Sequence, residues 1–379
     1  MSVSEMLRIV GPIQTIATGA PELVFREPQG AALPQPETVW FKALDGHWLN
    51  FKHLPPAAGM PDMGPVMLVH GTGVRASLFC PPTRITLPAM LSAAGFDVWM
   101  LNWRSSIDLR AVDWNLDDAA VLDYPVAVKV ILQRCGRFTR KKKVKALVHC
   151  QGSTSFLMSI IAGLLPDVET VVANSSGLFP QLRRAARIKL PIAMATLPCL
   201  TDSFDPQCAL YPSNRGAKVV NWLVRATHHE CNYAICKTSS FIYGVGSPTM
   251  WNHDNLDDAT HKWLDGEFGR APVRLFRQIA RCVNKGRLVS MGTYPLSVLP
   301  AEFVTRRPKT DATFHFVTGA ENRCFLPQGM KDTHTFFNEI FKTDRHTYEE
   351  FPGYGHMDVF FGKYAHVDVH PRFIKKLSA

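Results

Sequence analysis

Cys150 stands where a short apolar run turns sharply. Lys143-Val144-Lys145-Ala146-Leu147-Val148-His149 reads as a strand, Gly152 follows two residues after the cysteine, and a helix-like stretch, Thr154 to Leu165, begins at once. A nucleophile placed on a tight strand-to-helix turn has its reactive atom lifted above the sheet edge, and small residues are needed where the two backbones converge. Gly152 meets that demand and Val148 departs from it. The chemistry implied is attack by a thiol on an acyl carbon, with a covalent intermediate.

Such an attack needs donors for the developing oxyanion and a base for the thiol proton. Pro65-Val66-Met67-Leu68-Val69 is a second apolar strand, and it ends in His70-Gly71-Thr72-Gly73, the form of a loop that donates an oxyanion amide. The backbone N–H groups of Thr72 and Gln151 are the expected donors. Near the C-terminus, Thr347 to Phe351 reads as a last strand, and Pro352-Gly353-Tyr354-Gly355-His356-Met357-Asp358 follows it. Among 14 histidines, His356 is singled out by that glycine-rich loop, which places it last in the order nucleophile, orienting residue, base.

The orienting residue is expected in Gly319-Ala320-Glu321-Asn322, at the end of the strand Thr313 to Gly319. Asn322 occupies the position three residues beyond the glycine, and Glu321 beside it is the alternative. A thiol tolerates an amide there better than a hydroxyl does, because it ionises near pH 8.5 and needs a weaker base. The competing account is that Asn322 caps a turn while Glu321 or Asp358 serves.

These segments, with Phe96 to Arg104 and Val168 to Ser176, resemble the α/β-hydrolase superfamily over most of the chain. The resemblance implies an α/β-hydrolase fold: a mostly parallel central sheet flanked by helices, with an inserted, mainly helical cap. Cysteine members such as dienelactone hydrolases and polyhydroxyalkanoate synthases imply that the fold accepts a thiol for hydrolysis and for acyl transfer. The phrases His149-Cys150-Gln151-Gly152-Ser153, Trp251-Asn252-His253-Asp254-Asn255-Leu256 with Thr260-His261, and Gly355-His356-Met357-Asp358 further resemble the hydrolase-like domains attached to cholesterol-oxidase-type flavoproteins. No G-x-G-x-x-G follows a strand, so no flavin domain and no cofactor are expected.

The chain has 379 residues, 46% of them hydrophobic, which suffices for one large globular unit. The expected division is a lead-in over residues 1–37, core over 38–178, cap over 179–299 and core again over 300–379. Thr38 to Leu54 should open the sheet as a hairpin turning at Gly46. The cap run Ile188 to Leu200 suits an apolar acyl pocket or core packing and is too short to cross a bilayer.

Nine cysteines, an odd number, fit a reduced compartment. Cys231 and Cys236, near His228 and His229, match no paired zinc motif, so packing or a cap disulfide is expected and no metal. Much of the net charge of +10 lies in Arg134 to Lys145 and in Arg183, Arg184 and Arg187. The first run is read as a solvated loop; the second, opening the cap, suits an anionic acyl carrier such as coenzyme A or a carrier protein. No nucleic-acid module, transmembrane helix or signal peptide is read, which makes the cytoplasm the expected location. Cleavage of an ester, lactone or thioester is the expected activity. Acyl transfer by the same mechanism, or a degenerate hydrolase fold used for binding, are the alternatives.

Overall fold

The computed structural model describes residues 35–379 except Arg84, Leu197, Pro198, Leu200, Ser213, Asn214, Glu230, Ser247 and Pro248; residues 1–34 of the expected lead-in lie outside this range. Eight strands form one sheet: β1 (Glu37–Lys42), β2 (Trp48–Leu54), β3 (Gly64–Val69), β4 (Phe96–Asn102), β5 (Val144–His149), β6 (Val168–Asn174), β7 (Thr313–Gly319) and β8 (Thr347–Phe351). Their spatial order is β1-β2-β4-β3-β5-β6-β7-β8. β1 and β2 form the expected antiparallel hairpin, β2 runs antiparallel to β4, and all remaining pairs are parallel.

β3 and β5 are buried at every residue, as expected of strands covered on both faces; β3 is apolar throughout, and β5 is apolar except for Lys145, which pairs with Glu169 at 2.7 Å, and its last residue, His149. Successive side chains alternate between two core clusters. Ala146 and Val148 face one with helices α2 (Tyr124–Arg134) and α3 (Cys150–Ile161); Leu147 faces the other with α1 (Leu87–Ala93) and α9 (His370–Ser378). α8 (Pro327–Phe341) packs on β7.

Between β6 and β7 the described chain adds no strand to this sheet. It forms α4 (Arg184–Thr196), α5 (Arg215–Thr227), α6 (Ala234–Tyr243) and α7 (Val273–Lys285), with a two-residue antiparallel pairing of Ser203–Phe204 with Ala271–Pro272. Leu275 and Cys282 of α7 join the larger core cluster, so the end of this insertion packs as part of the main body. In the apolar run, Ala186, Lys189 and Leu190 of α4 face inward, whereas Ile188 and Ile192 are 65% and 59% exposed. No described helix is long and apolar enough to cross a membrane.

All nine cysteines are unbridged, so of the two expectations for Cys231 and Cys236, packing or a cap disulfide, the disulfide is not formed. His228 meets Thr227 and the Phe241 ring, and His229 the Ala226 carbonyl.

Candidate active site

The C-terminal ends of β3, β5, β7 and β8 converge, and each delivers one part of the site. Cys150 opens α3 with a backbone φ of +56°, the left-handed region that a non-glycine residue occupies only when its surroundings hold it there. Gly152 explains how the elbow closes: a Cβ at that position would stand 2.2 Å from the His70 carbonyl oxygen, so strand loop and helix meet only across glycine. Val148 is accommodated two residues earlier by burial in the larger core cluster.

The backbone amides of Gln151 and Thr72 both lie close enough to the Cys150 sulfur to favour its ionised form. Two donors from different loops therefore converge on one point at the N-terminus of α3, where the helix dipole adds positive potential. The His70 imidazole Nδ1 pairs with the Gly71 carbonyl at 2.7 Å, and Gly73 N–H donates to Ser105 Oγ at 3.0 Å, which fixes the loop carrying Thr72.

His356 is fully buried, and one of its ring nitrogens lies within 4.8 Å of Cys150 Sγ and of a His149 ring nitrogen. The structure thus brings Cys150 and His356 together as expected. It does not join Asn322 to them. Asn322 Oδ1 accepts from the amides of Cys324 and Phe325 at 3.1 and 3.2 Å, and its Nδ2 donates to Thr318 Oγ1 at 3.2 Å. Both ring nitrogens of His356 lack a hydrogen-bond partner among the described residues, so the exposed Glu321 does not orient it either. Asp358 is committed elsewhere: its carboxylate accepts from Gly355 N–H at 2.8 Å and Asn255 Nδ2 at 2.7 Å. The cause is local geometry, because Asn322 satisfies the amides of its own turn before it can reach another loop.

Two participants escaped the sequence reading. His149 directly precedes Cys150, and its Nδ1 accepts from Asn174 Nδ2 at 3.0 Å; its ring centroid lies 4.8 Å from that of His356. His149 and Asn174 are register partners on β5 and β6, two polar residues ending adjacent buried strands. That coincidence was the available signal. The second is Tyr243, whose buried hydroxyl has no partner among the described residues and which lines the cavity reaching Cys150.

Burial dominates the electrostatics. It pushes the Cys150 thiol up to about 12 despite the two amides, and holds His356 down to about 3. The resting pair is a neutral thiol beside a neutral imidazole. The cavity reaching Cys150 measures about 50 Å³ and is walled mainly by Leu182, Leu190, Ile242, Leu275, Phe276 and Ile279. A larger cavity of about 610 Å³ lies between residues 104–114 and the cap, and neither Cys150 nor His356 lines it.

Comparison with known proteins agrees with this architecture. The fold is similar to a monoglyceride lipase from Saccharomyces cerevisiae, with a TM-score of 0.54 and 12% identity over 92% of this chain and 98% of that one. It is similar too to a carboxyl esterase from Bacillus coagulans, with a TM-score of 0.53 and 12% identity over 89% and 96% of the two chains. The central sheet, its flanking helices and these likenesses define an α/β-hydrolase fold. In sequence, the chain is 23% identical over 137 residues to Sterol esterase 2 of Saccharomyces cerevisiae, spanning 31% of this chain and a quarter (25%) of that protein's length. No protein-family model matches the chain.

Proposed function

We propose that this protein is a hydrolase that cleaves ester, lactone or thioester bonds through an acyl-Cys150 intermediate. The observation that carries this reading is the convergence of the Thr72 and Gln151 amides on a cysteine held at φ +56° with an imidazole beside it. The neutral thiol attacks the carbonyl carbon as His356 removes its proton, and the carbonyl oxygen takes the place at the two amides. Collapse expels the alcohol or thiol, which receives that proton from His356. Water then attacks the thioester with His356 again as base, and Cys150 leaves as the thiol. The apolar cavity wall fits an apolar acyl group, and the lipase and esterase names of the similar proteins agree with an ester substrate.

The test is intact-protein mass spectrometry after incubation with activated esters and thioesters of increasing chain length. An acyl adduct confined to Cys150 is expected, and Cys150→Ala should lower kcat/KM by about 10⁴-fold or more. Undiminished turnover in Cys150→Ala, or no adduct and no turnover with any ester, would overturn the reading; the second outcome is that of a binding protein on a hydrolase fold.

Transfer to an acceptor other than water is the second reading. It rests on the small, apolar cavity, which disfavours water, and on exposed Arg183, Arg184 and Arg187 at the start of α4, which would attract an anionic carrier such as coenzyme A. Product analysis with added alcohols and thiols separates the two.

A further inference from the structure

The cap holds a second cluster of reactive side chains, built from residues distant in the chain. Cys231 precedes α6, Cys236 lies in its first turn, His253 begins a single helical turn (His253–Asn255), and His261 lies on the short helix Asp258–Trp263. Their two sulfurs and two ring nitrogens all lie within 4.8 Å of one another. Cys231 Sγ is 3.5 Å from His261 Nε2, and Cys236 Sγ is 3.0 Å from His253 Nε2. A tetrahedron with metal–sulfur bonds of about 2.3 Å and metal–nitrogen bonds of about 2.0 Å has sulfur–nitrogen edges of about 3.5 Å. Four ligand atoms are therefore already near the corners such a polyhedron needs.

We propose that Cys231, Cys236, His253 and His261 bind a zinc ion in a closed, four-coordinate structural site. Two sulfurs and two imidazoles are a ligand set that favours zinc over the oxygen-preferring magnesium and calcium. Binding displaces the two thiol protons to solvent, each sulfur and each neutral Nε2 gives one lone pair, and no oxidation state changes. The divalent ion and two thiolates sum to zero charge, which suits a cluster in which Cys236 is buried and the other three are partly buried.

The surroundings favour the charged sulfurs and hold the rings. Tyr233 N–H donates to Cys231 Sγ at 3.4 Å, as backbone amides do to metal-bound thiolates. The Tyr233 ring stacks on His261 with centroids 3.9 Å apart, and buried Trp251 meets the same imidazole edge-on at 6.4 Å. A merely packed pair of thiols needs none of this orientation.

The position of the site says what the metal would do. The segment after its first two ligands reaches both halves of the catalytic machinery. Asn252 and Asn255 side chains donate to the Gly353 carbonyl at 3.0 and 2.8 Å, and Asn255 also grips Asp358, so they hold the loop carrying His356. Further on, Gly269 N–H donates to the Gly73 carbonyl at 2.9 Å, and Glu267 pairs with Arg75 at 2.9 Å and Ser77 at 2.6 Å, beside the loop carrying Thr72. A zinc ion tying residues 231 and 236 to 253 and 261 would lock this bracket in place. Metal binding itself does not depend on the acyl chemistry proposed above.

The experiment uses the full chain, stripped with a chelator, reloaded with zinc and freed of excess, with metal content measured by inductively coupled plasma mass spectrometry. About one zinc per chain is expected. The double variant Cys231→Ser, Cys236→Ser should retain less than about a tenth of that content, while Cys199→Ser, at an exposed cysteine outside the cluster, should retain all of it. Because the double variant could misfold, the parent is also loaded with cobalt(II): intense visible bands with thiolate-to-cobalt charge transfer mark tetrahedral sulfur and nitrogen ligation. No metal uptake by the parent, weak octahedral cobalt bands, or full zinc content in the double variant would each overturn the assignment.

Discussion

At the scale of single residues, the proposed mechanism pairs a nucleophile, Cys150, that needs little help with a base, His356, that receives little. No carboxylate among the described residues bonds to either nitrogen of His356, so no anion stabilises the imidazolium formed during attack. A thiol survives that loss and a hydroxyl does not. Cys150→Ser should therefore keep less than about 1% of the parental kcat/KM toward short acyl esters. Adding Asn322→Asp should not restore it, because the carboxylate so introduced would still serve the amides of Cys324 and Phe325; a tenfold rescue in steady-state kinetics would show that the side chain reaches His356 after all. That Cys150, Gly152, Thr72 and His356 would come together was legible in the sequence because each is marked by its immediate neighbours: a strand end, a glycine, a turn. The role of Asn322 was not, since a turn-capping amide and a histidine-orienting amide occupy the same position in a short loop. His149 was hidden for a different reason: only strand register puts it against Asn174.

At the scale of elements, the elbow between β5 and α3 depends on one close approach. Gly152→Ala would drive a methyl group against the His70 carbonyl oxygen, which is backbone and cannot swing away. A loss of about 3 kcal/mol or more in the free energy of unfolding by urea is expected, together with lost acylation at Cys150. A parental urea midpoint would mean that the loop at His70 yields. The alternation of strands and helices was readable from hydrophobic period alone, and the hairpin, the parallel run and the interruption after β6 all appear where the pattern changed. The cap was legible only as an interruption. Its two-residue strands fall below any periodic signal, and the approach of Cys231 and Cys236 to His253 and His261 exists only once α6 and the following turns are folded together.

At the scale of the whole molecule, the interior holds several uncharged imidazoles. Burial holds His70, His356 and His370 down to about 3 and lowers His149 as well. In the unfolded chain each would titrate near 6.5. The unfolded state thus takes up more protons as pH falls below that value, so stability is whole above about 6.5 and drains away toward 3, by about 1.4 kcal/mol per pH unit for each such histidine. Asp358, pushed up to about 7 by burial, acts in the opposite sense, as do Asp117, Asp123, Asp205 and Asp265, which burial also raises; burial lowers His47, His315 and His346 too, and these side with the first four histidines. The urea midpoint should fall steeply between pH 6.5 and 4; a flat profile there would show that the histidines are charged or hydrated inside the fold.

The bonds from Asn252, Asn255, Glu267 and Gly269 to the loops bearing His356 and Thr72 divide the insertion into unequal parts. Its later portion is welded to the proposed reaction centre, whereas α4 only roofs the cavity beside Cys150. Changes in what is recognised can accumulate in the roof while the welded portion keeps proton transfer in tune, so a new substrate range need not be gained at the expense of turnover.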